Sequence, residues 1–347
     1  MGFLLNITEG YPHDNHSLMN ITVRLEDAFD RIMFPKIMNT TQNNSGIPEI
    51  QYTDDQRFEK LRQNLINGFI ALICILGLVG NGRTIYLLAF SIKRNPFTTL
   101  ILNLSIADSG VLTSLIISVI LEAVSTLGEN NVIVKTFFLL FFELFYFTYS
   151  VSQFLLTAIS LDRCVAVLFP LWHRCHRPSN LSTFVCSFIW IFSFLLSALH
   201  YILHKTKSFG SSPFLYQLIV NGLLCTPLMV VSTVTLWIQV RSKSQRNQRK
   251  LLTTILLALL FFLLFSLPMY VLYVVYYFGF RLPDFLTIGI GCATLNSSIN
   301  PLLYFLVGMK KRGKNQPRAS LKVALQRVFK DEQESSEGEE TTEEDIV

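Results

Sequence analysis

The sequence is short of charge and of tryptophan for a chain of its length. Of its 347 residues only 15% are Asp, Glu, Lys or Arg, whereas 51% are hydrophobic and the mean hydropathy is +0.43. Soluble domains carry about 25% charge. Phenylalanine is plentiful, with 29 Phe against three Trp. This composition excludes a disordered chain, a nucleic-acid-binding protein and an ordinary cytosolic enzyme, and it favours a protein whose bulk lies in lipid.

Charge is scarcest in the middle of the chain. Residues 65–309 hold fifteen Lys or Arg and six Asp or Glu. A helix needs about 20 apolar residues to span a bilayer, and seven runs satisfy this: 65–90, 98–122, 132–165, 181–203, 214–240, 251–280 and 285–308. The sequence therefore predicts an all-α membrane protein, a bundle of seven transmembrane helices over 65–308.

Basic residues are few on one side of this bundle. With the N-terminus outside, the inner loops hold ten Lys or Arg and the outer loops hold four. An excess of basic residues is what cytoplasmic loops carry. The N-terminal tail agrees, because it contains five glycan acceptor sequons, at Asn6, Asn15, Asn20, Asn39 and Asn43, which make sense only in the secretory lumen. We expect a multi-pass plasma-membrane protein with a glycosylated extracellular tail over 1–64.

Several features of other protein classes are missing. None of the six cysteines falls in the tail or an outer loop, so no disulfide is expected across the outer loops, and no CxxC pair suggests zinc or redox chemistry. No nucleophile or metal cluster converges as in an enzyme. Neither internal repeats nor paired broken helices suggest a transporter, and the seventh run lacks the lysine that a retinal protein needs.

A small set of polar residues lies at membrane depth, where such groups are costly and point to function. Its members are Asn81, Asp108, Ser152, Asn296, Ser297 and Asn300. One carboxylate with several neutral oxygens could hold a small hard cation such as sodium. The same set could equally form an interhelical hydrogen-bond cluster.

Three further charged residues stand in or at the end of predicted spans. Arg163 ends the third span beside Asp162; the two form either an interfacial pair of small value or a switch in which a buried arginine changes partners. Arg83 lies two residues past Asn81, and it either pairs with Asp108 or snorkels to the interface.

Both C-terminal segments are strongly charged. Residues 309–330 form a basic amphipathic helix for an anionic leaflet, with Leu321, Leu325, Val328 and Phe329 on one face. Residues 331–347 mix nine acids with Ser and Thr, as in a disordered cytoplasmic tail. Phosphorylation would deepen the tail's charge, and Asp345-Ile-Val347 could add a strand to a PDZ protein.

Ordered motifs across the spans resemble those of the class A (rhodopsin-like) G-protein-coupled receptors. They are Gly80-Asn81, Leu104-Ser-Ile-Ala-Asp108, Leu161-Asp-Arg-Cys164, Trp190, Pro227, Phe265-Ser-Leu-Pro268 and Asn300-Pro-Leu-Leu-Tyr304. Within that class, Ser91-Ile-Lys-Arg-Asn-Pro-Phe97 and Phe169-Pro-Leu-Trp-His-Arg-Cys-His-Arg-Pro178 resemble the Mas-related receptors.

The resemblance implies a receptor that passes an extracellular signal, from a peptide or small molecule, to heterotrimeric G proteins. It implies that Arg163, beside Asp162, meets the G protein when helix 6 swings outward, and that Pro268 is the kink for that swing. It also implies a rearrangement at Asn300, Pro301 and Tyr304, a sodium pocket at the polar set, and arrestin and a receptor kinase as partners of the acidic tail.

The chain also departs from the family pattern. Ser266 stands where the family usually has tryptophan, the family's outer disulfide is missing, and no acid lies near Gln248 to hold Arg163. We therefore expect a weakly restrained off-state with high basal activity; a signalling-poor scaffold or partner subunit that modulates other receptors is the other interpretation. Ligand-binding candidates are Glu122, Glu143, His200, Tyr201 and Asp284, although Glu143, about 200° around the helix from Arg163, could face a neighbouring helix instead.

Overall fold

The structure is a computed structural model that describes residues 54–92, 94–127, 132–178, 180–206, 221–242 and 285–308 and parts of 256–268. Its regular elements are helices, numbered here after the predicted spans. The first is Asp54–Phe90, the second Pro96–Leu127, the third Val132–Leu168, the fourth Leu181–Thr206 and the seventh Phe285–Gly308. The fifth continues from a π-helical turn, Asn221–Cys225, as Thr226–Ser242. A short connecting helix, Pro170–Cys175, follows the third.

The predicted spans and the helices agree closely. A backbone in lipid must bond to itself, so an apolar run of this length forms a helix. Five helices of the described region are long and apolar enough to cross a membrane. The seventh helix has the predicted bounds, but the first begins at Asp54, eleven residues before the predicted start at Leu65. The first helix therefore extends past the predicted end of the tail at residue 64, because hydropathy marks where an apolar run begins, whereas a helix can continue into polar sequence.

The third helix is the centre of the bundle. It packs against the second, fourth and fifth helices, while the first helix packs against the second and seventh. In the most apolar stretch of the third helix 61% is buried inside the protein, whereas in that of the first helix only 22% is buried. The first helix is therefore peripheral and offers most of its surface to lipid.

Close approaches between helices depend on two glycines. A Cβ atom on Gly77 of the first helix would collide with Ser298 of the seventh and lie 2.8 Å from Leu112. A Cβ atom on Gly110 of the second helix would lie 2.6 Å from Thr148 of the third. Small residues let helix backbones approach closely in membranes, so these positions set the spacing of the helices around the polar set.

Two clusters of buried apolar side chains fill the bundle. One includes Leu104, Leu155, Met229 and Tyr304, together with Leu259 of the sixth span. The other includes Cys74, Val111, Phe145, Tyr149 and Ala293. Asp108 follows Ala107 of the first cluster and precedes Val111 of the second. The carboxylate of Asp108 thus lies between two apolar layers, where it must find its partners among the helices themselves.

Candidate functional site

Asp108 is the centre of a buried hydrogen-bond cluster. It lies on the second helix with no exposed surface. Its carboxylate accepts a hydrogen bond from the Ser152 hydroxyl of the third helix at 2.7 Å and from the Asn300 amide of the seventh helix at 2.8 Å. The cluster therefore ties three helices together through one carboxylate.

Asn81 extends the cluster to the first helix. Its side-chain amide donates to the carbonyl of Ser297 at 2.9 Å and to that of Gly77 at 3.1 Å. Asn296 and Ser297 are buried on the seventh helix beside this junction. The amide nitrogen of Asn296 and the amide oxygen of Asn81 have no hydrogen-bond partner among the described residues. All six predicted members are buried, and four helices meet at them.

The oxygen atoms of this cluster are of the kind that binds a small hard cation. Asp108 supplies a carboxylate, and Ser152 and Ser297 supply hydroxyl oxygens, the ligand type that such cations prefer. In the arrangement described, both oxygens of the carboxylate accept from protein donors. The carboxylate is thus engaged in the hydrogen-bond cluster. A cation would have to displace the amide nitrogen of Asn300, or the Asn300 side chain would have to turn so that its amide oxygen faced the cation.

A second polar cluster lies at the end of the third helix. The guanidinium of Arg163 donates to Asp162 at 2.6 Å, and only 4% of Arg163 is exposed. The ring of Phe97 on the second helix lies 4.0 Å from the guanidinium carbon. A cation against an aromatic face is stabilised electrostatically, the more so where water is excluded. Arg163 is therefore covered on one side and paired with an acid on the other.

The acid of this pair has a second cationic partner. Arg177, which follows the short connecting helix, lies 2.8 Å from the other carboxylate oxygen of Asp162. Arg177 also donates to the hydroxyl of Ser182 at 2.8 Å and lies 3.1 Å from the ring of His173. The loop after the third helix is thus fastened to the carboxylate that holds Arg163.

Sequence reasoning did not identify Arg177, His173 or Phe97 as members of this cluster. Arg177 counted only as one basic residue of an inner loop, although a cation fifteen residues past an acid at a helix end is the signal available. The turn of the short helix, from Pro170 to Cys175, brings Arg177 back to Asp162. That turn cannot be read from residue spacing.

The other residues that were predicted to take part in a switch lie on the seventh helix and in the sixth span. Tyr304 and Pro301 are buried on the seventh helix, and a Cβ atom on Gly80 of the first helix would lie 3.1 Å from the Pro301 ring. Leu259 of the sixth span is 1% exposed and belongs to the same apolar cluster as Tyr304. Pro268 is half-buried further along the sixth span. The sixth span is therefore packed, through Leu259, into the apolar cluster that also includes Tyr304.

Two ligand candidates turn out to be partners of each other. The imidazole of His200 on the fourth helix lies 2.7 Å from a carboxylate oxygen of Glu143 on the third. His200 is 8% exposed, and Tyr146 packs against its ring. Glu143 therefore faces the neighbouring helix, as its angular position relative to Arg163 indicated. Tyr201 is 45% exposed on the fourth helix.

Several predicted residues lie outside the described part of the chain. The structure describes neither the side chain of Glu122 nor Asp284. The five sequons, the segment 309–330 and the acidic tail also fall outside it. All six cysteines are free thiols, and Cys175 is exposed.

The suggested pairing of Arg83 with Asp108 is wrong. Asp108 is fully buried and satisfied by Ser152 and Asn300, whereas Arg83 is exposed on the outer surface of the first helix. At about 100° per residue, Arg83 lies about 200° around the helix from Asn81. Because Asn81 faces the bundle, Arg83 must face away from it.

Comparison with known proteins gives the class of this chain. A family model described as 7 transmembrane receptor (rhodopsin family) matches residues 80–304. "Proto-oncogene Mas" of Mus musculus is 36% identical over 77% of this chain and 84% of its own length. "Mas-related G-protein coupled receptor member D" of Homo sapiens is 34% identical, over 88% of this chain and 98% of its own length. "Mas-related G-protein coupled receptor member H" of Mus musculus is 38% identical, over 75% and 82%.

The matched region runs from within the first predicted helix to within the seventh, and the members of both polar clusters lie inside it. The chain belongs to the rhodopsin-like seven-transmembrane receptors and, within them, to the Mas-related G-protein-coupled receptors. It is therefore a multi-pass plasma-membrane receptor, not an enzyme, with an extracellular ligand and a G protein as its partners.

Proposed function

We propose that this receptor, with its N-terminus outside, is switched by an extracellular peptide or small molecule that favours an open state of the inner bundle. In that state helix 6 moves outward and Arg163 leaves Asp162 to meet the C-terminal helix of a G protein. A ligand shifts such an equilibrium only by binding the open state better than the closed one. The observation that carries the proposal is the covered, paired position of Arg163.

The arrangement described has the features of a closed state. Arg163 is 4% exposed beneath Phe97, so a G protein could not reach its guanidinium without a movement of the surrounding helices. Leu259 packs into the cluster that contains Tyr304, which holds the sixth span inward. Opening would separate Leu259 from this cluster and uncover Arg163, with Pro268 as the point where helix 6 bends. Asn300, Pro301 and Tyr304 would rearrange with it.

The restraint on Arg163 comes from one side of the bundle. Its acid, Asp162, is the neighbouring residue, and Arg177 fastens that acid to the loop after the third helix. The sequence offers no acid near Gln248 for a link to helix 6. The contacts of Asp162 with Arg163 and Arg177, which we call the clasp, do not hold helix 6 itself. We therefore retain the proposal of high basal activity.

The exposed apolar face of the short connecting helix supports a protein partner on the same side. Leu171 is 78% exposed and Trp172 is 47% exposed, within ten residues of Arg163. Large exposed apolar side chains next to polar ones mark interaction surfaces. We assign Leu171 to the G-protein contact that opening completes.

The ligand remains a peptide or small molecule, with fewer candidate contacts. Since Glu143 is held by His200, neither group is offered to a ligand without first leaving the other. Tyr201 is exposed on the outer surface of the bundle, which leaves Glu122 and Asp284 as acids toward the extracellular ends. The polar cluster would take sodium at Asp108, Ser152 and Ser297, which would favour the closed state.

Other proposed partners depend on the termini. The hydroxyls among the acids of the C-terminal tail suit a receptor kinase and then arrestin, and the last three residues suit a PDZ protein. Segment 309–330 would lie on membrane lipid. The five sequons of the N-terminal tail would carry glycans.

The test is G-protein dissociation in intact cells, measured with a panel of Gα subunits while peptides, amines and sterols are screened. Arg163→Ala should abolish every response without lowering surface display of an N-terminal epitope. A chain that reaches the surface but activates no Gα, with or without ligands, would be the scaffold instead; the serine at position 266 in place of the family's tryptophan favours that candidate. An N-terminal epitope inaccessible on intact cells would overturn the orientation.

A further inference from the structure

An exposed arginine interrupts the lipid-facing stripe of the first helix. The stripe comprises Leu72 (53% exposed), Leu76 (64%), Val79 (66%), Tyr86 (60%) and Phe90 (80%). These positions recur every three or four residues, so they share one helix face. Arg83 falls on this face and is exposed. Among the described residues Arg83 forms no ion pair; the acids found in ion pairs there are Asp162 and Glu143, which pair with other residues.

The position of Arg83 makes an escape to water difficult. It lies seven residues before Phe90, about 10 Å from the helix end at ~1.5 Å per residue. Helical side chains tilt toward the N-terminus of their helix. That terminus lies across the membrane from Phe90, so the long stem of Arg83 has to turn back along the helix to meet a headgroup on the side of Phe90. A bare charge at this depth is costly, so a counter-charge has to come to it.

The surface beside Arg83 has room for a headgroup. Tyr86 lies one turn nearer the membrane surface, and its ring packs against that of Phe90 at 5.6 Å. Tyrosine is enriched at the level of the headgroups in membrane proteins. Gly82 lies next to Arg83, and a Cβ atom there would meet nothing within 4 Å. The first helix thus presents a cation, a phenol hydroxyl and open space together.

We propose that Arg83 and Tyr86 bind the phosphate of an anionic phospholipid from the leaflet on the side of Phe90. A guanidinium can donate two parallel hydrogen bonds to phosphate, and the Tyr86 hydroxyl can add a third. The apolar residues of the stripe would pack along the acyl chains. The identity of the leaflet as the inner one, which is rich in anionic lipid, rests on the proposed orientation; the binding does not rest on signalling.

The experiment is native mass spectrometry of the full-length receptor after reconstitution in phosphatidylcholine containing phosphatidylserine. Arg83→Leu should reduce the retained phosphatidylserine by one molecule, with at least about a fivefold loss of occupancy, as expected for one cation near a membrane surface. Arg241→Leu is the matched control: it removes one exposed cation, stacked on Trp237 at the end of the fifth helix, and should lower phosphatidylserine retention clearly less than Arg83→Leu does. Arg83→Lys should keep part of the retention.

Each other result counts against the site. Equal phosphatidylserine retention in Arg83→Leu and the unchanged receptor would overturn it, as would an equal loss in Arg241→Leu, which would indicate unspecific attraction. Displacement of the lipid by inorganic phosphate would show a site for free anions instead. If Arg83→Leu does not fold, the comparison of Arg83→Lys with Arg83→Gln decides. No agonist or G protein is present, so the outcome is independent of whether the receptor signals.

Discussion

Arg177 lies 2.8 Å from the carboxylate of Asp162, the same carboxylate that holds Arg163 at 2.6 Å. The two arginines use different oxygens, so they do not compete; Arg177 fixes the orientation in which Asp162 meets Arg163. The side chains of Asp162 and Arg177 are only 12% and 10% exposed, which limits solvent screening. Removing one member of a buried charge pair is costly, because it leaves the other charge buried without compensation.

The first prediction concerns this clasp. Asp162→Asn removes the charge that both arginines use, so the closed state should lose about 1–3 kcal/mol, and basal G-protein dissociation should rise several-fold. Arg177→Ala should raise basal dissociation less, because Arg163 keeps its acid. Signal per receptor at the cell surface is the measurement.

The double variant separates a clasp from two independent effects. If Arg177 acts through Asp162, adding Arg177→Ala to Asp162→Asn should raise basal signal no further. Arg241→Ala, which removes a cation from the last turn of the fifth helix, is the control and should leave basal signal unchanged. Additive effects of the two substitutions would contradict the clasp.

The sequence predicted features that depend on the length of a helix or on the helix face that a residue occupies. It did not predict a contact that depends on the path of a loop. The bounds of the seventh helix follow from its apolar run, and the grouping of Asp108, Ser152 and Asn300 follows from their depth in the spans. The error at Arg83 was avoidable, since two residues from Asn81 is the opposite helix face. Arg177 could not be placed, because the path of the chain through the short connecting helix sets its position, and hydropathy carries no information about that path.

The second prediction concerns the cluster around Asp108. If sodium binds there, the receptor should melt at a higher temperature in sodium chloride than in choline chloride of equal ionic strength. Asp108→Asn should abolish that difference, because the amide cannot supply the charge that the cation needs. Ser152→Ala should shrink it and lower stability by about 1 kcal/mol through the lost hydrogen bond.

Thermal unfolding of purified receptor needs no agonist, so this comparison can precede any ligand screen. The control is Ser109→Ala, a half-buried position next to Asp108 whose hydroxyl bonds the backbone carbonyl of Ser105. Identical melting in both salts would remove sodium from the proposal and leave the hydrogen-bond cluster as a purely structural feature.

The third prediction concerns the contact of the first and seventh helices. Gly77→Ala places a Cβ atom against Ser298, whose own Cβ lies 2.9 Å from it, so the two helices must separate. Overpacking of this kind costs about 1–3 kcal/mol, and the melting temperature should fall. Gly68→Ala on the same helix meets nothing within 4 Å. It should stabilise by up to about 1 kcal/mol, because alanine favours the helix. A similar response of the two variants would show that helix propensity, not contact, decides.

The fourth prediction concerns the pair between the third and fourth helices. Glu143 and His200 satisfy each other at 2.7 Å in a site that is 19% exposed on the acid and 8% on the imidazole. His200→Ala should lower stability by about 1–3 kcal/mol, because it takes this partner from the Glu143 carboxylate. Glu143→Gln should lower stability less, because the amide can still form a hydrogen bond with the imidazole. The double variant should be less destabilised than the sum, which a thermodynamic cycle on melting data measures. Because the pair lies between two helices, Glu143→Gln at matched surface expression should change agonist potency by no more than about threefold. That is the size of effect expected of a substitution away from a functional site. A potency loss of a hundredfold with unchanged melting would instead place Glu143 among the ligand contacts and overturn its assignment to the helix interface.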